Sequence, residues 1–115
     1  MVAVEKPPFL DVMIARIWHG WTKGVDAKTY EDMLRAEILP GIAARNIAGY
    51  HGAELFIRED GEEVEFITLL RFESMDAVKT FAGEDQGKPV IYPKAELLLT
   101  RMDERSQHYR IVPLD

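Results

Sequence analysis

The sequence contains no cysteine. Disulfides, thiolate metal centres and a cysteine nucleophile are therefore excluded. Cysteine-free composition fits a reducing compartment, and the cytoplasm is the expected location. Long apolar runs are missing too. No stretch approaches the ~20 residues of a membrane helix, and the first ten residues, with Glu5, Lys6, Pro7 and Pro8, have no apolar core of a signal peptide. Positive charge is in deficit: 14 lysines and arginines stand against 20 aspartates and glutamates, a net charge of −6. An acidic surface repels phosphate backbones and anionic membranes, so neither nucleic acid nor membrane is an expected partner. Phosphate-cradling glycine loops, a Rossmann fingerprint and a nucleophile elbow are also absent, and no cofactor is expected. The three histidines show no H-x-H or H-E-x-x-H spacing, so no metal site is expected.

What remains is an ordinary folding composition, 47% hydrophobic and 30% charged over 115 residues. That length suits one domain, here taken as 11–115 after a leader at 1–10 marked by Pro7-Pro8. Asp11 to Trp21 is rich in strand formers and carries large apolar groups on both faces. Ile14, Arg16 and Trp18 share one face; Met13, Ala15, Ile17, His19 and Trp21 share the other. Asp26 is placed to cap a helix bearing Tyr30, Met33, Leu34, Ile38 and Ile42, which Pro40 should kink or end. Gly49 to Arg58 and Glu63 to Phe72 read as a hairpin around Asp60-Gly61. Ser74 caps a second helix with Val78, Phe81 and Ala82 inside and Gly83 at its end. Pro93 opens a short helix over 94–101, and Gln107 to Val112 is a fourth strand. The order predicts an α+β fold of the ferredoxin-like βαββαβ type: a four-stranded antiparallel sheet with both helices on one face. The other face, apolar and bare, calls for a partner, and face-to-face pairing of two sheets gives a homodimer.

Ala15-Arg16-Ile17-Trp18 on the first strand, with Glu65-Phe66-Ile67-Thr68-Leu69-Leu70-Arg71-Phe72-Glu73-Ser74-Met75-Asp76-Ala77-Val78 across the third strand and second helix, resembles the antibiotic biosynthesis monooxygenase-like family of the dimeric α+β barrel superfamily. The resemblance spans roughly Val12 to Val112. It implies a dimeric α+β barrel and, for activity, a cofactor-independent monooxygenase acting on a small aromatic or polyketide-like molecule. The alternative is a non-catalytic, small-ligand-binding or regulatory dimer. The superfamily also contains haem-degrading enzymes, which carry a tryptophan where Phe72 stands and a ligating histidine in the stretch that here runs from Gly83 to Arg101 without one. Haem degradation is therefore not expected.

Trp18-His19-Gly20-Trp21 is the most unusual segment. Trp18 and Trp21 are candidates to stack on a planar substrate, with Tyr30 and Phe72 as further substrate-binding candidates. His19 is a candidate general base, since imidazole titrates near neutral pH; the plain reading is that it caps the strand end. Gly20 is read as a place of close approach by ligand or backbone. Arg16 and Arg71 sit inside apolar strands and must be paired if buried. Each is either bound to a carboxylate such as Glu54 or Glu65, or is a catalytic candidate holding a phenolate or enolate oxygen. His51 and His108 are read as exposed or interfacial. Alternation along the first strand predicts that Trp18 lines a pocket between sheet and helices while His19 lies near a subunit interface.

Overall fold

The structure, a computed structural model, describes residues 13–114. The expected leader at 1–10, and the strand residues Asp11 and Val12, lie outside the described residues. Five strands and three helices follow: β1 (Ile14–Lys23), α1 (27–44), β2 (Tyr50–Asp60), β3 (Glu63–Phe72), α2 (Met75–Ala82), α3 (Pro93–Glu96), β4 (Leu99–Met102) and β5 (Gln107–Arg110). The strands form one antiparallel sheet in the order β2-β3-β1-β4, and β5 pairs with β1 alongside β4. The fold is α+β and ferredoxin-like, as the sequence predicts.

The fourth strand differs from expectation. Instead of a helix over 94–101, α3 stops at Glu96 and Leu99–Met102 is strand. Leu99 pairs with Thr22 of β1, and Leu98 and Leu99 pack on the buried cluster of Tyr30, Leu34, Phe66 and Ala95. Sheet pairing and burial here override the helical preference of a leucine run. β4 opposes Gly20–Thr22 and β5 opposes Ile14–Ile17, so the two are halves of one edge, broken at 103–106.

α1 also departs from the expected kink. It runs through Pro40, because the five residues Leu34–Ile38 before it are π-helical. A widened turn relieves the clash between a proline ring and the carbonyl four residues back. Asp26 does not cap this helix with its side chain; it belongs to a 3-10 turn over Gly24–Asp26. Ser74 does cap α2, its hydroxyl accepting from the Ala77 N–H at 3.1 Å. The β2–β3 hairpin turns at Gly61, whose φ of +68° glycine reaches without strain.

Register fixes which residues share a face. Ile14, Arg16, Trp18, Gly20 and Thr22 pair with Phe72, Leu70, Thr68, Phe66 and Val64 of β3, and this face meets the helices. Two buried clusters lie there. One joins Ile42 of α1 to Leu70, Phe72, Ala77, Val78 and Phe81; the other joins Tyr30 and Leu34 of α1 to Phe66 and Ala95. The opposite face carries Ala15, Ile17, His19 and Trp21, beside Glu65, Ile67, Leu69 and Arg71 of β3. No helix among the described residues covers it, and Phe56 of β2 on that side is 47% exposed.

Candidate functional site

A cavity opens at the seam between the two clusters, where α1 crosses the sheet. Tyr30, Leu34 and Ala95 line it from one cluster, Ile42, Leu70 and Phe81 from the other. Arg16, Trp18 and Thr68 form its floor on the sheet, and 89–92 its outer wall. The cavity volume is about 70 Å³. Apolar cavities of ~150 Å³ admit benzene, so this chamber is too small for an aromatic ring as it stands. It has room for a carboxylate or an enolate oxygen.

Glu96 lines the chamber, and so does one cation, Arg16. It is buried, yet no carboxylate pairs with it among the described residues; the expected glutamate partner is not there. Its guanidinium instead donates through Nη1 to the Gln86 carbonyl (2.5 Å) and through Nη2 to the Lys88 carbonyl (2.8 Å). Nη1 also lies 2.9 Å from Nε2 of His108. Burial lowers the Arg16 pKa to about 10, so the group remains a cation at neutral pH. Desolvation first, then the Arg16 charge, lowers the His108 pKa. His108 is therefore neutral beside Arg16 and accepts its hydrogen bond. Two carbonyl dipoles and a neutral imidazole solvate the guanidinium without neutralising it. The Phe81 ring sits between Arg16 and Arg45, whose guanidinium carbons lie 5.4 and 5.1 Å from its centroid.

Trp18 lies flat along β1 rather than standing free. A methyl group on Gly20 would come within 3.0 Å of two atoms of the Trp18 ring and of Leu99 Cδ2. The close approach that Gly20 permits is thus that of the Trp18 indole. Nε1 of the indole donates to the Asp103 carbonyl at 3.0 Å. Asp103 fills the break in the fourth strand. Its carboxylate accepts from the His19 backbone N–H at 2.9 Å and pairs with His19 Nδ1 at 2.6 Å. Tyr30, 3% exposed, meets Phe66 edge-on at 4.8 Å, and burial raises its pKa to about 12.

Of the residues singled out from the sequence, the structure brings Arg16, Trp18 and Tyr30 together at the cavity. Phe72 is fully buried in the cluster behind it, against Tyr50 and Phe81. His19, Trp21 and Arg71 are on the opposite face of the sheet. Trp21 stacks on His19 at 6.0 Å, with the Arg101 guanidinium 3.9 Å above its ring; Arg71 pairs with Glu54 at 3.1 Å. His51 pairs with Glu73 at 2.8 Å near the end of β3. Sequence reasoning missed His108, read as exposed or interfacial, and the carbonyls of 86 and 88. Its parity with Arg16 across β1 and β5 was the available signal, but nothing in the sequence set that register.

No protein-family model and no curated protein matches the chain. Solved structures do. A Bacillus cereus protein provisionally assigned as an antibiotic biosynthesis monooxygenase aligns over 90% of this chain and 97% of its own, with a TM-score of 0.65 at 13% identity. A conserved protein from Methanosarcina mazei aligns over 89% and 95%, with a TM-score of 0.60 at 11% identity. The monooxygenase ActVA-Orf6 of Streptomyces coelicolor, in complex with nanaomycin D, aligns over 95% and 92%, with a TM-score of 0.52 at 12% identity. At such identities the likeness is one of architecture. The chain has the ferredoxin-like α+β fold found in antibiotic biosynthesis monooxygenase-like proteins.

Proposed function

We propose that the cavity under α1 holds the anionic oxygen of a small aromatic or polyketide-like molecule, and that the chain oxygenates this molecule with dioxygen and no cofactor. The observation that carries the reading is Arg16, a buried cation that no carboxylate among the described residues pairs with, facing a chamber lined mostly by apolar and aromatic groups, with Glu96 in its lining as well. Such a group stabilises negative charge that develops on a phenolate or enolate more strongly than water does. An electron-rich anion of this kind can itself reduce dioxygen. In balance, an activated CH₂ and O₂ give C=O and H₂O: one oxygen atom is inserted and the other leaves as water. Trp18 and Tyr30 supply the aromatic wall. A structural neighbour that is a monooxygenase, and another provisionally assigned as one, support the same reading. The test is dioxygen consumption with hydroquinone-type phenols, compared between the native chain and Arg16→Gln. Turnover lost in the variant is the expected result; no oxygen uptake by the native chain over a broad phenol set excludes the oxygenase.

A second reading, a non-catalytic binding protein, is favoured by the small cavity volume. It predicts saturable ligand binding without oxygen uptake.

The working unit is proposed to be a homodimer joined through the uncovered sheet face. Ile17, Ile67, Leu69 and Phe56 form an apolar centre there, and Arg58–Glu65 (3.0 Å), Arg71–Glu54 and Arg101–Glu63 (both 3.1 Å) are charge pairs satisfied within one chain. A self-neutralised rim around an apolar centre suits a second copy of itself. Sedimentation equilibrium at micromolar concentration should give twice 13.1 kDa; a monomer there refutes it.

A further inference from the structure

The outer wall of the chamber is an irregular segment. Residues 83–92 join α2 to α3 without helix or strand, and none of them is fully buried. Pro89, Val90, Ile91 and Tyr92 line the chamber. Gly83, where the segment leaves α2, has a φ of 96° and a ψ of −170°, a conformation that almost only glycine adopts. Exposed segments outside the sheet ladder open at lower cost than the strands beneath them.

Two sets of contacts fasten this segment to the sheet. On the inside, Arg16 of β1 donates to the Gln86 and Lys88 carbonyls at 2.5 and 2.8 Å. On the outside, Arg105 holds Asp85 with both ends of its fork, Nη1 to Oδ2 at 3.0 Å and Nη2 to Oδ1 at 2.5 Å. A two-pronged pair of this geometry is among the stronger exposed ion pairs. Next to it, the N–H of Ser106, a residue that also lines the chamber, donates to the Gly87 carbonyl at 2.8 Å. Gly87 fits this arrangement. Its φ is not positive, yet a Cβ there would lie 2.5 Å from Arg105 Nη2 and 3.0 Å from Nε. Glycine at 87 therefore lets the guanidinium come against the segment while it holds Asp85. The Lys79–Glu84 pair, at 3.3 Å, ties the segment only to α2. Glu96 lines the chamber from α3 and takes part in neither fastening.

We propose that 84–92 is a strap over the Arg16 chamber, that it turns about Gly83 to admit a ligand, and that Arg105 is the outer latch setting how often it opens. At about 70 Å³ the closed chamber is too small for an aromatic ring, and the strap is the wall least tied to the core. When closed it also engages Nη1 and Nη2 of Arg16. The cation proposed to hold a ligand's anion thus holds the strap until a ligand arrives. The strap's role rests on the chamber being the ligand site, as proposed above, but its opening is read without ligand or oxygen, so the two ideas fail separately.

The experiment is residue-resolved amide exchange of the full chain by NMR, joined to acrylamide quenching of Trp18 in a Trp21→Phe background. The Ser106 N–H reports the strap, because its acceptor is the Gly87 carbonyl. The amides of Phe66 and Leu70, one in each buried cluster, report global unfolding. In Arg105→Gln the Ser106 amide should exchange about fivefold faster, the effect of losing a well-made exposed pair, while Phe66 and Leu70 stay unchanged. Trp18, on the chamber floor, should become more readily quenched. Gly87→Ala leaves every charge in place and displaces only the latch; it should act alike, and the double variant should add nothing to either. Raising salt from ~20 to ~500 mM should speed Ser106 exchange in the native chain and not in Arg105→Gln, because the exposed pair is screened. Ser106 exchange that is unchanged in both variants, or that rises in step with Phe66 and Leu70, overturns the latch. Faster Ser106 exchange with Trp18 no more quenchable overturns the strap as the cover of the chamber.

Discussion

Gly20→Ala separates two effects of opposite sign. Gly20 has no positive φ, so alanine fits its backbone conformation. Replacing a glycine in a strand by alanine at such a position stabilises by roughly 0.5–1 kcal/mol, because the unfolded chain has less freedom to lose. Packing opposes this. The new methyl lies 3.0 Å from Trp18 Cη2, Trp18 Cζ3 and Leu99 Cδ2, each tighter than ordinary carbon contact by about half an ångström. Leu99 can rotate away at little cost. Trp18 cannot, since its ring is tethered through Nε1 to the Asp103 carbonyl at 3.0 Å. Overpacking of a tethered ring costs about 1–3 kcal/mol, so the net effect is destabilisation by about 0.5–2 kcal/mol. For a chain of this size that is a fall in Tm of roughly 2–8 °C. Urea denaturation of Gly20→Ala, Trp18→Leu and the double variant closes a double-mutant cycle. In the Trp18→Leu background the same glycine replacement should become neutral or stabilising. A Gly20→Ala chain more stable than the native one refutes the account of why Gly20 is glycine.

Anion binding should be linked to protons through His108. Its pKa lies below the ordinary imidazole value because of burial and the Arg16 charge. An anion on Arg16 offsets the second cause and raises that pKa, so binding takes up protons and the affinity for that anion rises as pH falls through the interval between the free and bound values. Calorimetry in buffers of different ionisation enthalpy measures the uptake, and His108→Gln should abolish it. In the free chain the sign for stability is the reverse. Below the ordinary imidazole value of ~6.5 the unfolded chain binds the proton more readily, so acid destabilises the fold in this window and His108→Gln flattens the slope. Asp103→Ala should cost about 1–3 kcal/mol in urea denaturation, because it leaves the His19 backbone and ring donors unmatched. Asp103→Asn keeps one acceptor and should fall between; equality of Asp103→Ala with the native chain refutes a structural role for the carboxylate.

Much of this fold was legible because its signals are local. Asp60-Gly61 fixed the hairpin, Ser74 and Gly83 bracketed α2, and the two parities of β1 were written in the sequence. Which parity would meet the helices was a weaker inference, since Ile17 and Trp21 are as apolar as Ile14 and Trp18. The presence of a cation beside an aromatic on one parity decided it, and Arg16 and Trp18 do line the cavity. The π-helical turn before Pro40 was not legible. It depends on how α1 seats Leu34, Ile38 and Ile42 in the two buried clusters, not on the propensities of those residues. The partners of Arg16 were hidden for a similar reason. Two are main-chain carbonyls of an irregular segment, which carry no residue signature, and the third depends on the register of β5 against β1.

The alternation of β1 also assigns two tasks to one strand. Even-numbered residues from Ile14 to Thr22 face the helices, with Arg16 and Trp18 lining the cavity, and odd-numbered residues build the uncovered face. A flat, continuous fourth strand would keep these faces apart. The break at 103–106 joins them, because Asp103 holds Trp18 through its carbonyl and His19 through its backbone and its carboxylate. One residue thus fixes an aromatic wall of the cavity and a polar group of the uncovered face. Strand interruptions of this kind recur next to functional sites because they re-aim side chains that regular pairing would leave in line. Here the group held in place is the Trp18 indole, laid over Gly20 and pinned at its nitrogen, where it lines the chamber that Arg16 faces.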